Sequence, residues 1–121
     1  MDSGELAGMR VLVAEDEFFI ALVVEETLHN LGVTVIGPYP DLAQATEAAK
    51  REKFDGAVLD INLGGDMVYP LAERLHRQGI PFVFTTGYAA ADLPERFRVF
   101  EILRKPVDAR TLTEAVHHMR H

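Results

Sequence analysis

The stretch Ala57-Val58-Leu59-Asp60 is an apolar run that ends in an acid. Apolar and partly β-branched residues between turn residues are typical of a buried strand, and here the flanking turn residues are Gly56 and the pair Gly64-Gly65. Ligands bind at the carboxyl ends of the strands in an open parallel sheet. Asp60 is therefore a candidate for chemistry, although a turn or cap role is about as common for a lone Asp.

Three further apolar runs also end in polar residues. The run 11–14 leads into acids, the run 82–84 leads into hydroxyls, and the run 100–103 leads into cations. In chain order these residues are Glu15, Asp16 and Glu17, then Thr85 and Thr86, then Arg104 and Lys105. If the four runs are parallel strands of one sheet, their polar ends meet at the same edge.

Composition limits the class of protein. A chain of 121 residues with 48% hydrophobic and 26% charged residues indicates one globular domain, 1–121, in which residues 1–8 are expected to be a flexible N-terminal segment. The absence of cysteine excludes disulfides and thiolate metal sites. We expect a cytoplasmic protein, because the sequence has no signal peptide or membrane span. A net charge of -7 argues against direct binding of nucleic acid.

Strand and helix patterns alternate five times. The predicted strands are 9–14, 33–36, 57–60, 80–85 and 97–103, and the predicted helices include 17–31 and 67–78. Asp41 and Asp108 are placed to cap two more helices. Gly37-Pro38 is expected to end the second strand, and Pro94 to keep any helix before it short.

This pattern predicts an α/β fold, a flavodoxin-like (βα)5 three-layer sandwich with a shortened or irregular fourth helix. Its parallel five-stranded sheet would have the order 2-1-3-4-5, which brings the Glu15-Asp16 turn beside Asp60. The first helix should leave Phe18 and Leu22 on the face opposite its core stripe. That core stripe would consist of Ile20, Val23, Val24, Leu28 and Leu31.

The residues at the strand ends resemble those of the receiver domains of two-component response regulators. The matching motifs are Leu12-Val13-Ala14-Glu15-Asp16, Leu59-Asp60-Ile61-Asn62-Leu63, Thr86 and Lys105-Pro106, and they span nearly the whole chain. Phe84-Thr85-Thr86-Gly87-Tyr88 is similar to the Phe-Ala-Thr-Gly-Tyr variant of a subgroup with many stand-alone members. The resemblance implies a phosphorelay protein that accepts a phosphoryl group from a sensor histidine kinase or a histidine phosphotransfer protein.

Carried over position by position, the resemblance makes Asp60 the phosphoacceptor and Mg²⁺ the cofactor. The metal ligands would be Asp16, Asp60 and the backbone carbonyl of Asn62, with Glu15 bound to the metal through water. The phosphoryl-binding and switch residues would be Thr86, Lys105 and Tyr88. Tyr88 would be the moving aromatic, because Ile102 stands where many members carry a switching Tyr or Phe. The domain would not be an enzyme, but a phosphoacceptor that assists its own phosphorylation and dephosphorylation.

The sequence also predicts two surfaces where partners bind. Phe18 and Leu22 are expected to contact the kinase or phosphotransfer protein, while the segment 87–97 would form the output surface for a downstream partner of unknown identity. A homodimer contact through Phe18 and Leu22, or their chance exposure, is together an equal alternative.

Physical chemistry supports the predicted site independently. Crowded carboxylates repel one another, so they need a cation, and oxygen ligands suit Mg²⁺ better than zinc. Rival functions are a flavin carrier, a metal-dependent phosphatase and a receiver-like adaptor that works without phosphorylation. The acids after strand 1 disfavour a flavin phosphate there, a nucleophile on strand 3 disfavours the phosphatase, and the complete set of strand-end residues disfavours the adaptor.

Overall fold

The structure, a computed structural model, describes residues 3–87 and 93–120. Within them, five strands form one parallel sheet. The strands are β1 Arg10–Ala14, β2 Thr34–Tyr39, β3 Gly56–Asp60, β4 Phe82–Thr86 and β5 Ile102–Arg104. Their order across the sheet is 2-1-3-4-5, which confirms the predicted flavodoxin-like topology. The ends of β1, β3 and β4 are therefore neighbours.

Helices cover both faces of the sheet. They are α1 Ser3–Leu6, α2 Phe18–Asn30, α3 Leu42–Arg51, α4 Tyr69–Arg77 and α5 Ala109–Arg120, with a 3-10 helix at Glu95–Phe97. Buried residues of α2 and α5 pack on one face, and those of α3 and α4 pack on the other. The 3-10 helix is the only helical turn that the described residues show between β4 and β5, in agreement with the predicted irregular fourth helix.

Two helix caps form as predicted. The Asp41 carboxylate accepts a hydrogen bond from the Gln44 amide at 2.8 Å, and the Asp108 carboxylate accepts one from the Thr111 amide at 2.8 Å. These bonds lower the pKa of Asp41 and the pKa of Asp108. Each bond also satisfies a backbone donor that the first helical turn leaves without an intrahelical partner.

β2 continues through Gly37-Pro38, so the prediction that this pair ends the strand was wrong. β2 is an edge strand, where the missing N–H of a proline need not break the sheet. The pairing of β1 with β2 shifts register between Leu12 and Ala14, which accommodates the irregularity. Gly37 has a φ of 108°, and a Cβ there would lie 2.8 Å from the Val13 carbonyl oxygen. Only glycine fits this position without strain.

Other boundaries also differ from the predictions. Asn62–Leu63 pairs antiparallel with Asp66–Met67 across a turn at Gly64-Gly65, so α4 begins at Tyr69 instead of residue 67. β5 is shorter than predicted, since Phe97 belongs to the 3-10 helix.

The part of the N-terminal segment that the structure describes packs on the core. Ser3–Leu6 is helical, and Leu6 is fully buried beside Met9 in the α2–α5 side of the core. The predicted stripe of α2 holds for Val24 and Leu28, which are buried, and for Ile20 and Leu31, which pack partly buried against the same cluster, whereas Val23 is exposed. No helix in the described ranges has the length and apolar composition that crossing a bilayer requires.

Candidate functional site

The ends of β1, β3 and β5 bring a lysine into contact with three carboxylates. The Lys105 ammonium lies 2.9 Å from Asp60 Oδ2, 3.1 Å from Glu15 Oε2 and 2.7 Å from Glu17 Oε1. Asp60 is 2% exposed, and the Glu15 and Lys105 side chains are also largely buried. Since an ammonium group has three N–H donors, these three contacts use its full capacity.

Backbone pairing holds the lysine and the acids in place. The Lys105 amide donates to the Thr86 carbonyl at 2.9 Å, which continues the pairing of β4 with β5. The Glu15 amide donates to the Tyr39 carbonyl at 2.9 Å, and the Glu17 amide donates to Glu15 Oε2 at 3.0 Å. The side chains thus extend from backbone that the sheet fixes.

The hairpin after β3 forms the rim of the site. The Gly64 amide donates to Asp16 Oδ2 at 3.1 Å, and the Asn62 amide donates to Asp60 Oδ1 at 3.2 Å. The Gly65 amide donates to Asn62 Oδ1 at 2.6 Å. A cavity of about 250 Å³ opens above Asp60. Its lining residues are Asp16, Glu17, Asp60, Asn62, Gly64, Gly65 and Lys105.

Burial raises the pKa of Asp60 to about 8, and Glu15 and Asp16 add to this rise, while the hydrogen bond from Lys105 opposes it. Burial also tends to lower the pKa of Lys105. Its hydrogen bonds to Glu17 and Asp60 and the charges of Asp60 and Glu15 outweigh that effect, so the pKa of Lys105 lies above its ordinary value. The buried site therefore holds a firmly protonated lysine and an aspartate whose ionised form would be stabilised by additional positive charge.

Four carboxylates are close enough to share a cation. One oxygen each from Glu15, Asp16, Glu17 and Asp60 lies within 4.8 Å of the others. An all-oxygen donor set beside an open cavity suits a hard cation that retains bound water. The residues present therefore fit a Mg²⁺ ion.

The structure brings Asp16, Asp60, Asn62 and Lys105 together around one cavity. Glu15 does not line that cavity, but its carboxylate lies 3.1 Å from the Lys105 ammonium. Thr86 ends β4, beside Arg104 of β5, and its hydroxyl is buried. Tyr88 lies outside the described residues, as does most of the predicted output segment before Leu93.

The predicted docking residues lie on the outer face of α2. Phe18 is 72% exposed and Leu22 is 39% exposed. They line a second cavity, of about 270 Å³, which adjoins the first because Asp16 lines both. Apolar side chains are therefore exposed close to the acidic site.

Two residues of this region were missed. Glu17 was named among the acids after the first strand and as the start of the first helix but was given no role in the site, yet it makes the shortest contact to Lys105. Phe19 is 78% exposed and packs edge-on against Phe18, with ring centroids 5.4 Å apart. A third consecutive acid after β1, and a second aromatic beside Phe18, were the available signals.

Comparison with known proteins decides the family. The family model described as the response regulator receiver domain matches residues 11–117. The chain belongs to the response regulator receiver domain family. Such domains accept phosphoryl groups in two-component signalling and interact with histidine kinases or phosphotransfer proteins and with downstream partners. They are not enzymes in the usual sense.

Individual relatives agree with this assignment. The receiver domain is 29% identical over 119 residues to the transcriptional regulatory protein PdtaR of Mycobacterium tuberculosis, which covers 95% of this chain and 58% of PdtaR. The solution structure of SdrG from Sphingomonas melonis Fr1 has a TM-score of 0.82 and 35% identity, covering 92% of this chain and 95% of SdrG. A BeF3-activated structure of SdrG, there assigned to Pseudomonas melonis Fr1, has a TM-score of 0.80 and 34% identity, covering 95% and 98%. The chain thus spans little more than half of its curated relative.

Proposed function

We propose that Asp60 is the residue that accepts the phosphoryl group in this receiver domain. The observation that carries the proposal is the contact of buried Asp60 with Lys105 at 2.9 Å beneath an open cavity. A buried carboxylate at a strand end, paired with a fixed cation and open to solvent on one side, is suited to act as a nucleophile toward an anionic donor.

The reaction is an in-line transfer. A carboxylate oxygen of Asp60 attacks the phosphorus atom, and the bond from phosphorus to the donor's leaving group breaks with its electron pair on that group. Lys105 offsets the negative charge that accumulates as two anions approach. Its position is fixed by the hydrogen bond of its amide to Thr86, so little reorganisation is needed during the transfer.

Mg²⁺ is the cofactor that the acids fit best. Glu15, Asp16 and Asp60 would hold it, with the backbone carbonyl of Asn62 as a further ligand at the rim of the cavity. When bound, the ion would supply positive charge to the phosphoryl oxygens. The hydroxyl of Thr86 and the ammonium of Lys105 would then donate hydrogen bonds to the phosphoryl group, and the same groups would assist its later hydrolysis.

Labelling with a small phosphodonor tests this proposal. Acetyl phosphate with Mg²⁺ should add one phosphoryl group to the protein, as measured by intact mass. Asp60→Asn should abolish the addition, while the exposed Asp66→Asn on the nearby hairpin is the matched control and should label like wild type. Undiminished labelling of Asp60→Asn would refute the assignment.

We also propose that the phosphodonor protein docks on α2. Phe18 and Leu22 line the groove that meets the acidic cavity at Asp16, so a partner seated there lies next to Asp60. Exposed apolar side chains beside a reactive site are typical of an interaction surface. The partner would be a sensor histidine kinase or a histidine phosphotransfer protein.

A double substitution separates docking from chemistry. Replacing Phe18 and Leu22 with Ser should slow transfer from the phosphorylated partner protein and leave labelling by acetyl phosphate unchanged. An equal loss with both donors would count against docking, since it would indicate damage to the site or the fold. A wild-type rate with both donors would also contradict the proposal.

A further inference from the structure

Lys105 is shared between the proposed phosphoacceptor and an acid outside the core. Its ammonium lies 2.7 Å from Glu17 Oε1 and 2.9 Å from Asp60 Oδ2. The Glu17 side chain is 58% exposed, whereas those of Glu15 and Asp60 are almost fully buried. Glu17 is therefore the partner of Lys105 that can move away without disturbing the core.

The Glu17 side chain does not cap α2, although its position would allow it. It is the N-cap residue of α2, yet its side chain makes no capping hydrogen bond. An acid at an N-cap commonly accepts a bond from the first helical turn. Here the carboxylate extends toward Lys105 instead, which indicates a role at the site rather than in the helix.

We infer that Glu17 is a positioning residue that competes with the phosphoryl group for Lys105, and that its charge restrains phosphorylation. This inference rests on the proposed role of Asp60. Before transfer, Glu17 holds part of the positive charge of Lys105, and its own negative charge lies within 4.8 Å of an Asp60 oxygen. Because Lys105 is partly neutralised by Glu17, and because the Glu17 charge repels other anions, an incoming phosphoryl group is attracted less strongly to the site.

Transfer changes this balance. The Asp60 oxygen forms the new bond to phosphorus, and the leaving group departs with the electron pair of the bond that breaks. In the product, the phosphoryl group carries a charge of about -1.5 to -2 beside Lys105, in place of the single carboxylate charge of Asp60. Lys105 then donates to the phosphoryl oxygens, and Glu17 loses its ion pair at the start of α2.

The test compares Glu17→Gln with wild type. Glutamine keeps an acceptor oxygen for Lys105 but removes the charge, and the exposed position should tolerate it. With Mg²⁺ and acetyl phosphate, labelling of Glu17→Gln should be about three- to tenfold faster, and the difference should shrink as salt screens the exposed charge. Glu26→Gln, an exposed acid on the same helix, is the matched control and should label at the wild-type rate.

A second phosphodonor distinguishes an effect of the Glu17 charge from an effect of Glu17 on the structure of the site. Phosphoramidate carries less negative charge than acetyl phosphate at neutral pH, so Glu17→Gln should accelerate its reaction by a smaller factor. Equal rates for wild type and Glu17→Gln, slower labelling of Glu17→Gln, or equal acceleration with both donors would overturn the inference while leaving Asp60 as the acceptor. Absence of labelling in wild type would instead overturn the proposed function, and this inference with it.

Discussion

Removing the charge of Asp60 should stabilise the protein when no divalent cation is present. Asp60 is buried, and its pKa rises from an ordinary value of 3.8 to about 8. Between these pH values the unfolded chain releases its proton while the folded protein retains it. The free energy of unfolding therefore falls by about 1.4 kcal/mol for each pH unit as pH rises. If the full pKa shift of Asp60 applies and nothing offsets it, the loss approaches ~4 kcal/mol at pH 7.

The net gain in Asp60→Asn should be smaller than this limit. Asparagine weakens the hydrogen bond that the Lys105 ammonium donates to Asp60, although Lys105 still contacts Glu15 and Glu17. We therefore expect Asp60→Asn to raise the free energy of unfolding by about 1–3 kcal/mol at neutral pH. The gain should grow from acidic pH to about pH 8 and then level off, because above that value Asp60 is ionised in both states.

Urea unfolding in the presence of a chelator measures this effect across the pH range. The slope of the free energy against urea should be the same for both proteins, so that a shift in midpoint reports stability. A variant less stable than wild type at every pH would refute the reasoning, since the attraction between Asp60 and Lys105 would then outweigh the cost of burying the carboxylate charge. A gain independent of pH would also refute it, because ionisation would not be its source.

Three further predictions test the metal site, the edge strand and a helix cap. Asp16→Asn should weaken Mg²⁺ binding in calorimetric titration, because one carboxylate beside the cavity is lost; unchanged affinity would exclude Asp16 as a ligand. Gly37→Ala should lower the free energy of unfolding by roughly 2 kcal/mol or more, since its Cβ would meet backbone atoms at 2.8 Å; Gly8→Ala, also at positive φ but with open space, should be milder. Asp108→Ala should destabilise α5 at neutral pH, and its difference from wild type should shrink as acid protonates the low-pKa carboxylate that bonds to Thr111; a difference that persists in acid would exclude the charged cap.

The order of the sheet and the meeting of its polar ends were predictable from sequence. Parallel strands buried on both faces are continuously apolar, and the handedness of crossovers leaves few possible strand orders. Asp60 and Lys105 are 45 residues apart in the chain, yet they touch because Asp60 ends one strand and Lys105 directly follows another strand of the same sheet. The carboxyl ends of neighbouring parallel strands lie together, and this does not depend on the sequence of the helices that connect them.

Features that depend on distant neighbours were not predictable in this way. Whether Pro38 ends a strand depends on which side of that strand lies open, and this follows from the sheet and not from nearby residues. The burial of Leu6 likewise depends on packing against distant parts of the chain. The face of α2 was ambiguous because residues 18–24 are all apolar, so periodicity could not separate exposed Val23 from buried Val24.

The side-chain contacts of Lys105 link the site to the surface of α2. Glu15 and Asp60 are buried and held by neighbouring strands, so they cannot move far when Lys105 donates hydrogen bonds to a phosphoryl group. Glu17 is exposed and directly precedes Phe18, the first residue of α2. We therefore expect a redistribution of charge at Asp60 to reach the exposed aromatic residues of α2, where the phosphodonor is proposed to dock, through Glu17.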